Sequence, residues 1–175
     1  MRSGWDPEAT WLFFESGLRG SGHHDMAQNN IQLIAGGQWL LADPGYYSYS
    51  SSGPEGVMSR YLKSSAAHNT ALGQLSFAPG TRLMANTQAG TCHWREDGDS
   101  ASAEGTYVDG YGPDGAVDVR HRRQVIYHKS EDAFTIADEL SGNGEADLCL
   151  HWQVPAAAAI SVTGEAIAVR AGSRA

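Results

Sequence analysis

Apolar and polar residues alternate with a period of two through nearly the whole chain, and this alternation decides the fold class before any single residue is considered. The stretches "ATWLFFESG", "NIQLIAGG", "QWLLAD", "RLMANTQAGTCHW", "SAEGTYV", "VRHRRQVIYHK", "DAFTIADEL", "DLCLHWQV" and "AISVTGEAIAVRAG" are short and rich in β-branched and aromatic residues. Between them stand turn-forming clusters such as "GPEG", "APG", "DGYGPDG" and "SGNGEA". Short alternating strands separated by turns predict an all-β fold, an antiparallel β-sandwich with few or no helices. Only "GVMSRYLKSSAAHN" lacks the alternation, and it reads either as a short helical turn or as an extended excursion between sheets. In "AGGQ", Gly36 and Gly37 can take the positive φ of a tight hairpin turn.

Size and charge narrow the function classes. With 175 residues, 41% of them hydrophobic, the chain can bury one core, so residues 1 to 175 are read as a single domain. A net charge of -8 and the lack of a basic run argue against nucleic acid as a partner. An acidic polymer would have to be held by a local basic patch rather than by the overall field. No apolar stretch approaches the length of a membrane span, and "MRSGWDPEATW" lacks the positive-then-apolar pattern of a secretion signal. Cys92 and Cys149 fit no metal spacing and are read as one disulfide or two buried thiols.

The chemistry gathers around "GSGHHDMAQNNIQLIAGGQWLLADPGYYSY". In a hairpin from Ile31 to Asp43, the residues before the first strand and after the second lie at one end of the sheet. His23, His24 and Asp25 can then approach Asp43, and "AAHNT" adds His68 and Asn69. Imidazole and carboxylate together suit Zn²⁺, while a carboxylate-rich set leans toward harder cations. Read by themselves, these residues favour the plainer reading of satisfied surface or core histidines and a good "DPG" turn.

The ordered combination "GHHDMAQNNIQLIAGGQWLLADPGYYSY", then "SRYLKSSAAHNTAL", then "RHRRQVIYHKSEDAFTIADEL", resembles the heparinase II/III-like family of polysaccharide lyases. The family pattern runs G-H-x-H-x-(D or A)-Q-N-x-hydrophobic, a strand, D-x-G, and an Arg-containing stretch ending A-H-N-T. The resemblance covers essentially the whole chain. It implies the C-terminal β-sandwich of such a lyase, without the helical toroid that normally precedes it.

Carried over residue by residue, the resemblance implies a catalytic histidine at His23 and zinc ligands at Asp25, Asp43 and His68. The chain departs from the pattern at position 25, where the family usually has histidine, and at Ala27, a place often held by an acid. His24 stands one place off the pattern. The implied reaction is β-elimination next to a uronic acid in an alginate-type or heparan-type glycan, and a periplasmic or secreted location goes with it. That chemistry needs a base for the proton beside the carboxylate, neutralisation of the carboxylate, and an acid for the leaving oxygen. His23 has the pKa range for the first or third task. Among Tyr46, Tyr47, Tyr49 and Tyr61, phenols for proton transfer or sugar stacking are available; Tyr61 is the catalytic candidate and Tyr47 the substrate-binding one. Arg60 and Lys63 are candidate partners of a substrate carboxylate, with Asn69 beside them. His93, His121, His128 and His151 fall within strand patterns and are read as structural.

Two other classes stay open: a non-catalytic carbohydrate-binding or interaction sandwich, and a metal-dependent enzyme of cupin type. The latter wants His-x-His and Glu on one barrel sheet, which this sequence does not provide. Without the helical part, which supplies a tyrosine and an amide in the resembling enzymes, the chain alone is expected to be inactive.

Overall fold

In the computed structural model the structure describes residues 1–18, 25–73, 90–112, 115–143, 147–164 and 166–170. Eleven strands are found among them: β1 (Trp11–Glu15), β2 (Asn30–Ala35), β3 (Gln38–Leu41), β4 (Ala71–Gly73), β5 (Cys92–Asp97), β6 (Ser100–Tyr107), β7 (Val119–His128), β8 (Ala133–Gly142), β9 (Leu148–Leu150), β10 (Ala159–Thr163) and β11 (Ala166–Arg170). All the pairings are antiparallel. One sheet has the order β1-β2-β3 and another β5-β6-β7-β8, while β4 pairs with β9 and β10 with β11.

The two larger sheets meet through the faces that the alternation selects. Leu12 and Phe14 of β1, Ile31 and Leu33 of β2 and Leu41 of β3 cluster with Val125 of β7 and with Phe134 and Ile136 of β8. On β6 every second residue is buried and most of these are small: Ala101, Ala103 and Gly105. The small size is required at Gly105. A Cβ there would lie 1.8 Å from Ser16 Oγ and 2.6 Å from Asn29 Oδ1, so the loop before β2 is pressed directly onto the strand. A second cluster joins Ala71 to Tyr107, Tyr111 and Val119.

Local sequence explains the connections that matter for the site. Gly36 (φ 55) and Gly37 (φ 66) close the β2–β3 hairpin with two positive φ angles, as its sequence predicts. The register steps by one between Ile34↔Trp39 and Leu33↔Leu41, a bulge that brings Leu41 to the core beside Leu33. The segment left open between helix and extended chain is a helix, α1 (Gly53–Leu62), followed by a 3-10 turn, Ser65–Ala67. Pro54 in its first turn needs no donated N–H there, and Glu55 and Arg60 sit at the ends that the helix dipole favours.

Two expectations are corrected. Cys92 and Cys149 are both exposed and free, neither disulfide-bonded nor buried, because each projects from an open strand. The stretch "AISVTGEAIAVRAG" forms two strands rather than one, with Gly164 (φ 57) in the turn between β10 and β11.

Candidate functional site

The site is built where three segments converge: residues 25–30 entering β2, residues 42–49 leaving β3, and residues 63–70 after α1. Asp43 follows β3 and caps its own turn, accepting the Gly45 N–H at 3.0 Å. Its other oxygen accepts from Asn30 Nδ2 and from His68 Nδ1, both at 2.9 Å. Asn30 in turn accepts the Asn69 N–H at 2.9 Å, so one amide holds both the aspartate and the histidine segment.

The imidazole of His68 is 1% exposed. Burial tends to raise the pKa of Asp43, but hydrogen bonds from His68, the Gly45 amide and Asn30, with the charge of His68, outweigh it and hold the carboxyl below its usual value. An ionised carboxylate only accepts, so Nδ1 carries a proton, and in the neutral form of the ring Nε2 presents its lone pair. That Nε2 atom is buried and has no hydrogen-bond partner among the described residues. The result is an oriented imidazole with an open acceptor.

Beside the pair lies a cavity of about 340 Å³. Its wall includes Asp25, Tyr46, Tyr47, Tyr49, Ser59 and Lys63, and Gly45 links it to Asp43. The Met26 N–H donates to the Lys63 carbonyl at 2.9 Å, and Ser65 Oγ donates to the Met26 carbonyl at 2.6 Å, which fixes Asp25 beside the end of α1. Ser59 Oγ donates to the Ser48 carbonyl at 2.7 Å and ties the tyrosine loop to the helix. The rings of Tyr46 and Tyr49 lie 4.6 Å apart. Desolvation, with Tyr49 and Glu55 nearby, pushes the Tyr46 phenol above its ordinary pKa.

The residues singled out from sequence divide accordingly. Asp43 and His68 meet directly, while Asp25, Tyr47 and Lys63 face one cavity. Arg60 and Tyr61 are exposed on α1 and do not line that cavity; Arg60 Nη1 donates to the Ser51 carbonyl at 3.0 Å. Asn69 is completely buried, and its side-chain amide donates to the carbonyls of Ile31 and Ala42 and accepts the Gln153 N–H. Ala27 is buried in the core. His23 and His24 lie outside the described residues. Among the described residues, no group of three or more His, Cys, Asp or Glu side chains could hold a metal ion.

Sequence reasoning missed Asn30, Arg123 and Asp138. Arg123 is fully buried and forms a two-pronged pair with Asp138, through Nε at 2.7 Å and Nη2 at 3.0 Å. The signal was present in the phase of β7: if Val119, Val125 and Tyr127 point inward, so do His121 and Arg123. For Asn30, the signal was the run Gln28-Asn29-Asn30, three amides leading into an apolar strand.

Comparison with known proteins identifies the company this arrangement keeps. A family model described as "Heparinase II/III-like, C-terminal" matches residues 2–175. A heparin-sulfate lyase of Bacteroides stercoris is 23% identical over 158 residues, a match covering 89% of this chain and 21% of that protein. A solved heparan sulfate lyase of Pedobacter heparinus superposes with a TM-score of 0.76 at 21% identity, covering 91% of this chain and 23% of its own. A heparinase III gene product with methylated lysines gives 0.75 at 21% identity, over 93% of this chain and 23% of its own. The chain therefore spans between a fifth and a quarter of the length of these relatives.

Proposed function

The chain belongs to the heparinase II/III-like C-terminal family, and from that premise we propose that it is the β-sandwich part of a uronate polysaccharide lyase acting by β-elimination. The observation that carries the reading is the buried His68–Asp43 pair, with its open Nε2, set beside a tyrosine-walled cavity that also contains Lys63. A heparan-type glycan is the substrate favoured over alginate, because the relatives named above are heparin-sulfate and heparan sulfate lyases.

In this reading Lys63 meets the uronate carboxylate, aided by Arg60 at the same end of α1, and draws charge from the enolate-like intermediate. Tyr47 offers a flat, half-apolar ring to a pyranose face. His23 exchanges the proton, with Tyr61 the second proton-active candidate. Asn69 acts from beneath, holding the strands that present the site.

For zinc, His68 Nε2 is a ready donor, and the carboxylate behind Nδ1 fixes the tautomer that a metal requires. A closed zinc site takes more protein ligands than one; Asp25 is the proposed further donor, and Asp43 would join it only by releasing Nδ1. A bound zinc ion would supply Lewis-acid neutralisation of the substrate carboxylate.

The test joins this chain to the helical lyase domain it is proposed to need and follows the ultraviolet absorbance of unsaturated uronate. Heparan sulfate should be cleaved by the joined protein and not by the 175-residue chain alone. His23→Ala should lower turnover by roughly a hundredfold or more, with little change in melting temperature. An unchanged rate in that variant would refute the role given to His23. Saccharide binding with no cleavage in the joined protein would favour a non-catalytic carbohydrate-binding sandwich, for which the exposed rings of Tyr46, Tyr47 and Tyr49 already provide a surface.

A further inference from the structure

The inner face of β7 carries His121 and Arg123 between Val119 and Val125, in positions the alternation otherwise fills with apolar side chains. A buried ion pair is no better for stability than well-packed apolar residues of similar volume, so stability alone does not account for Arg123. What distinguishes it is where the rest of the guanidinium points. Nε and Nη2 are fixed by Asp138, which stands directly across the ladder on β8 and also accepts from His121 Nε2 at 2.6 Å. Nη1 donates to two backbone carbonyls, that of Asn29 at 2.7 Å and that of Asn69. The Trp152 ring lies 5.1 Å from the guanidinium carbon and covers it.

Those two carbonyls belong to two different site segments. Asn29 immediately precedes Asn30, which donates to Asp43; Asn69 immediately follows His68. Asn29 also sits at φ 62, a left-handed conformation that a non-glycine residue keeps only when its surroundings impose it. Its side chain is held by Ser16 Oγ and by the His121 carbonyl, and its own carbonyl by Arg123. One planar fork thus sets the backbone on both sides of the His68–Asp43 hydrogen bond. Lysine, a compact ammonium on a flexible stem, lacks that fork.

We propose that Arg123, clamped by Asp138, is a positioning residue that fixes the His68 imidazole against Asp43 by joining the Asn29 and Asn69 carbonyls. The catalytic consequence rests on the lyase reading; the geometric claim does not.

The experiment uses the 175-residue chain, labelled at histidine nitrogen, at one fixed pH, and reads the His68 ring nitrogens together with amide exchange at Asn69. In the wild type, His68 should show a single tautomer with the proton on Nδ1. In Arg123→Lys, a dispersed amide spectrum should persist while the His68 signals split or broaden. Protection at the Asn69 amide should fall by about tenfold more than in the control. The control is Val125→Ala, which weakens the same strand without touching either loop and should leave the His68 signature as it is in the wild type. Should Arg123→Lys not fold, Arg123→Met/Asp138→Asn removes the pair without stranding a charge and is read in the same way. An unaltered His68 tautomer in the folded Arg123 variant, or an equal disturbance in Val125→Ala, would overturn the proposal. Because no readout uses a saccharide, failure of the lyase reading would appear separately, as absent cleavage with His68 still ordered.

Discussion

Asn69 provides the sharpest test of how the site is held. Its amide makes three hydrogen bonds to main chain, to the Ile31 carbonyl (2.8 Å), to the Ala42 carbonyl (2.8 Å) and from the Gln153 N–H, so it joins β2, the exit of β3 and the segment after β9. Asn69→Ala strands all three partners. An orphaned buried group costs about 1–3 kcal/mol. The Ile31 bond is wholly buried, whereas the Ala42 and Gln153 bonds are part-buried and can recruit water, which places the sum near the low end, at about 3 kcal/mol. Asn69→Asp discriminates further. It is nearly isosteric and keeps the acceptor for Gln153, yet it turns a donor into an oxygen facing two carbonyl oxygens and buries a charge. It should be the worse of the two at neutral pH, by up to about 2 kcal/mol, since a stranded buried charge costs about 3–5 kcal/mol. The new carboxyl is raised in pKa by the fold, so this variant should regain stability as pH falls and the carboxyl takes up a proton. Urea unfolding followed by tryptophan fluorescence at neutral and mildly acid pH measures both effects. An Asn69→Asp protein more stable than Asn69→Ala at neutral pH would refute the hydrogen-bond accounting.

Three further outcomes are expected. His121 is held below its ordinary pKa chiefly by burial, with Arg123 adding to the effect and Asp138 opposing it; Asp138 is lowered because hydrogen bonds from His121 and Arg123 outweigh its burial. Both shifts are downward, so in salt sufficient to screen the net charge the urea midpoint should decline as pH falls, first through the unfolded histidine value of about 6.5 and again below about 3.9; a midpoint higher at mildly acid than at neutral pH would contradict this. Gly105→Ala should destabilise by about 1–3 kcal/mol through its clash with Ser16 and Asn29, and more than Gly17→Ala, where a Cβ meets nothing within 4 Å and φ is not positive; equal melting temperatures would show that the loop yields freely. Protein purified without chelator should carry about one zinc per chain by elemental analysis, and His68→Ala should lose it; zinc content near zero in the wild type even after supplementation would remove the metal from the proposal.

Much of the fold was legible because a half-buried strand has only two faces. On β6 the pattern in the sequence and the burial in the structure run in the same phase for its full length, and on β7 they agree at Val119, Val125 and Tyr127. The hairpin turn was equally plain, since Gly36 and Gly37 supply the two positive φ angles it needs. Helix α1 was left open because its stabilisation is not a periodic apolar stripe. Pro54, the end charges and the close seat of Gly56 on Ser51, where a Cβ would lie 2.5 Å from the Ser51 carbonyl carbon, act instead. The single stretch from 159 to 172 hid a hairpin because its turn has only one glycine among strongly alternating neighbours.

The site was legible by residue type and less so by role. A histidine and an aspartate could be expected to meet across the hairpin end, since the hairpin returns the chain to where it began. Sequence cannot say which atoms are left open after they meet: Asp43 takes Nδ1 of His68, and Nε2 remains. Asn69 stood next to His68 in the motif and therefore read as another substrate contact, but its neighbours in space are backbone groups of three separate segments. Arg123 was hidden for the opposite reason, lying far along the chain in a strand whose outer face is also basic at Arg120 and Arg122. The two outer arginines and the inner one differ only in phase, and that phase separates roles. Arg122 pairs with Glu104 and Glu139 in solvent, where such bridges contribute little. Arg123, one residue on, points inward and touches the main chain on both sides of the His68–Asp43 bond. In a sheet, then, the polar residue that breaks the inward apolar phase is the one to follow to the site, however far from the motif it lies in sequence.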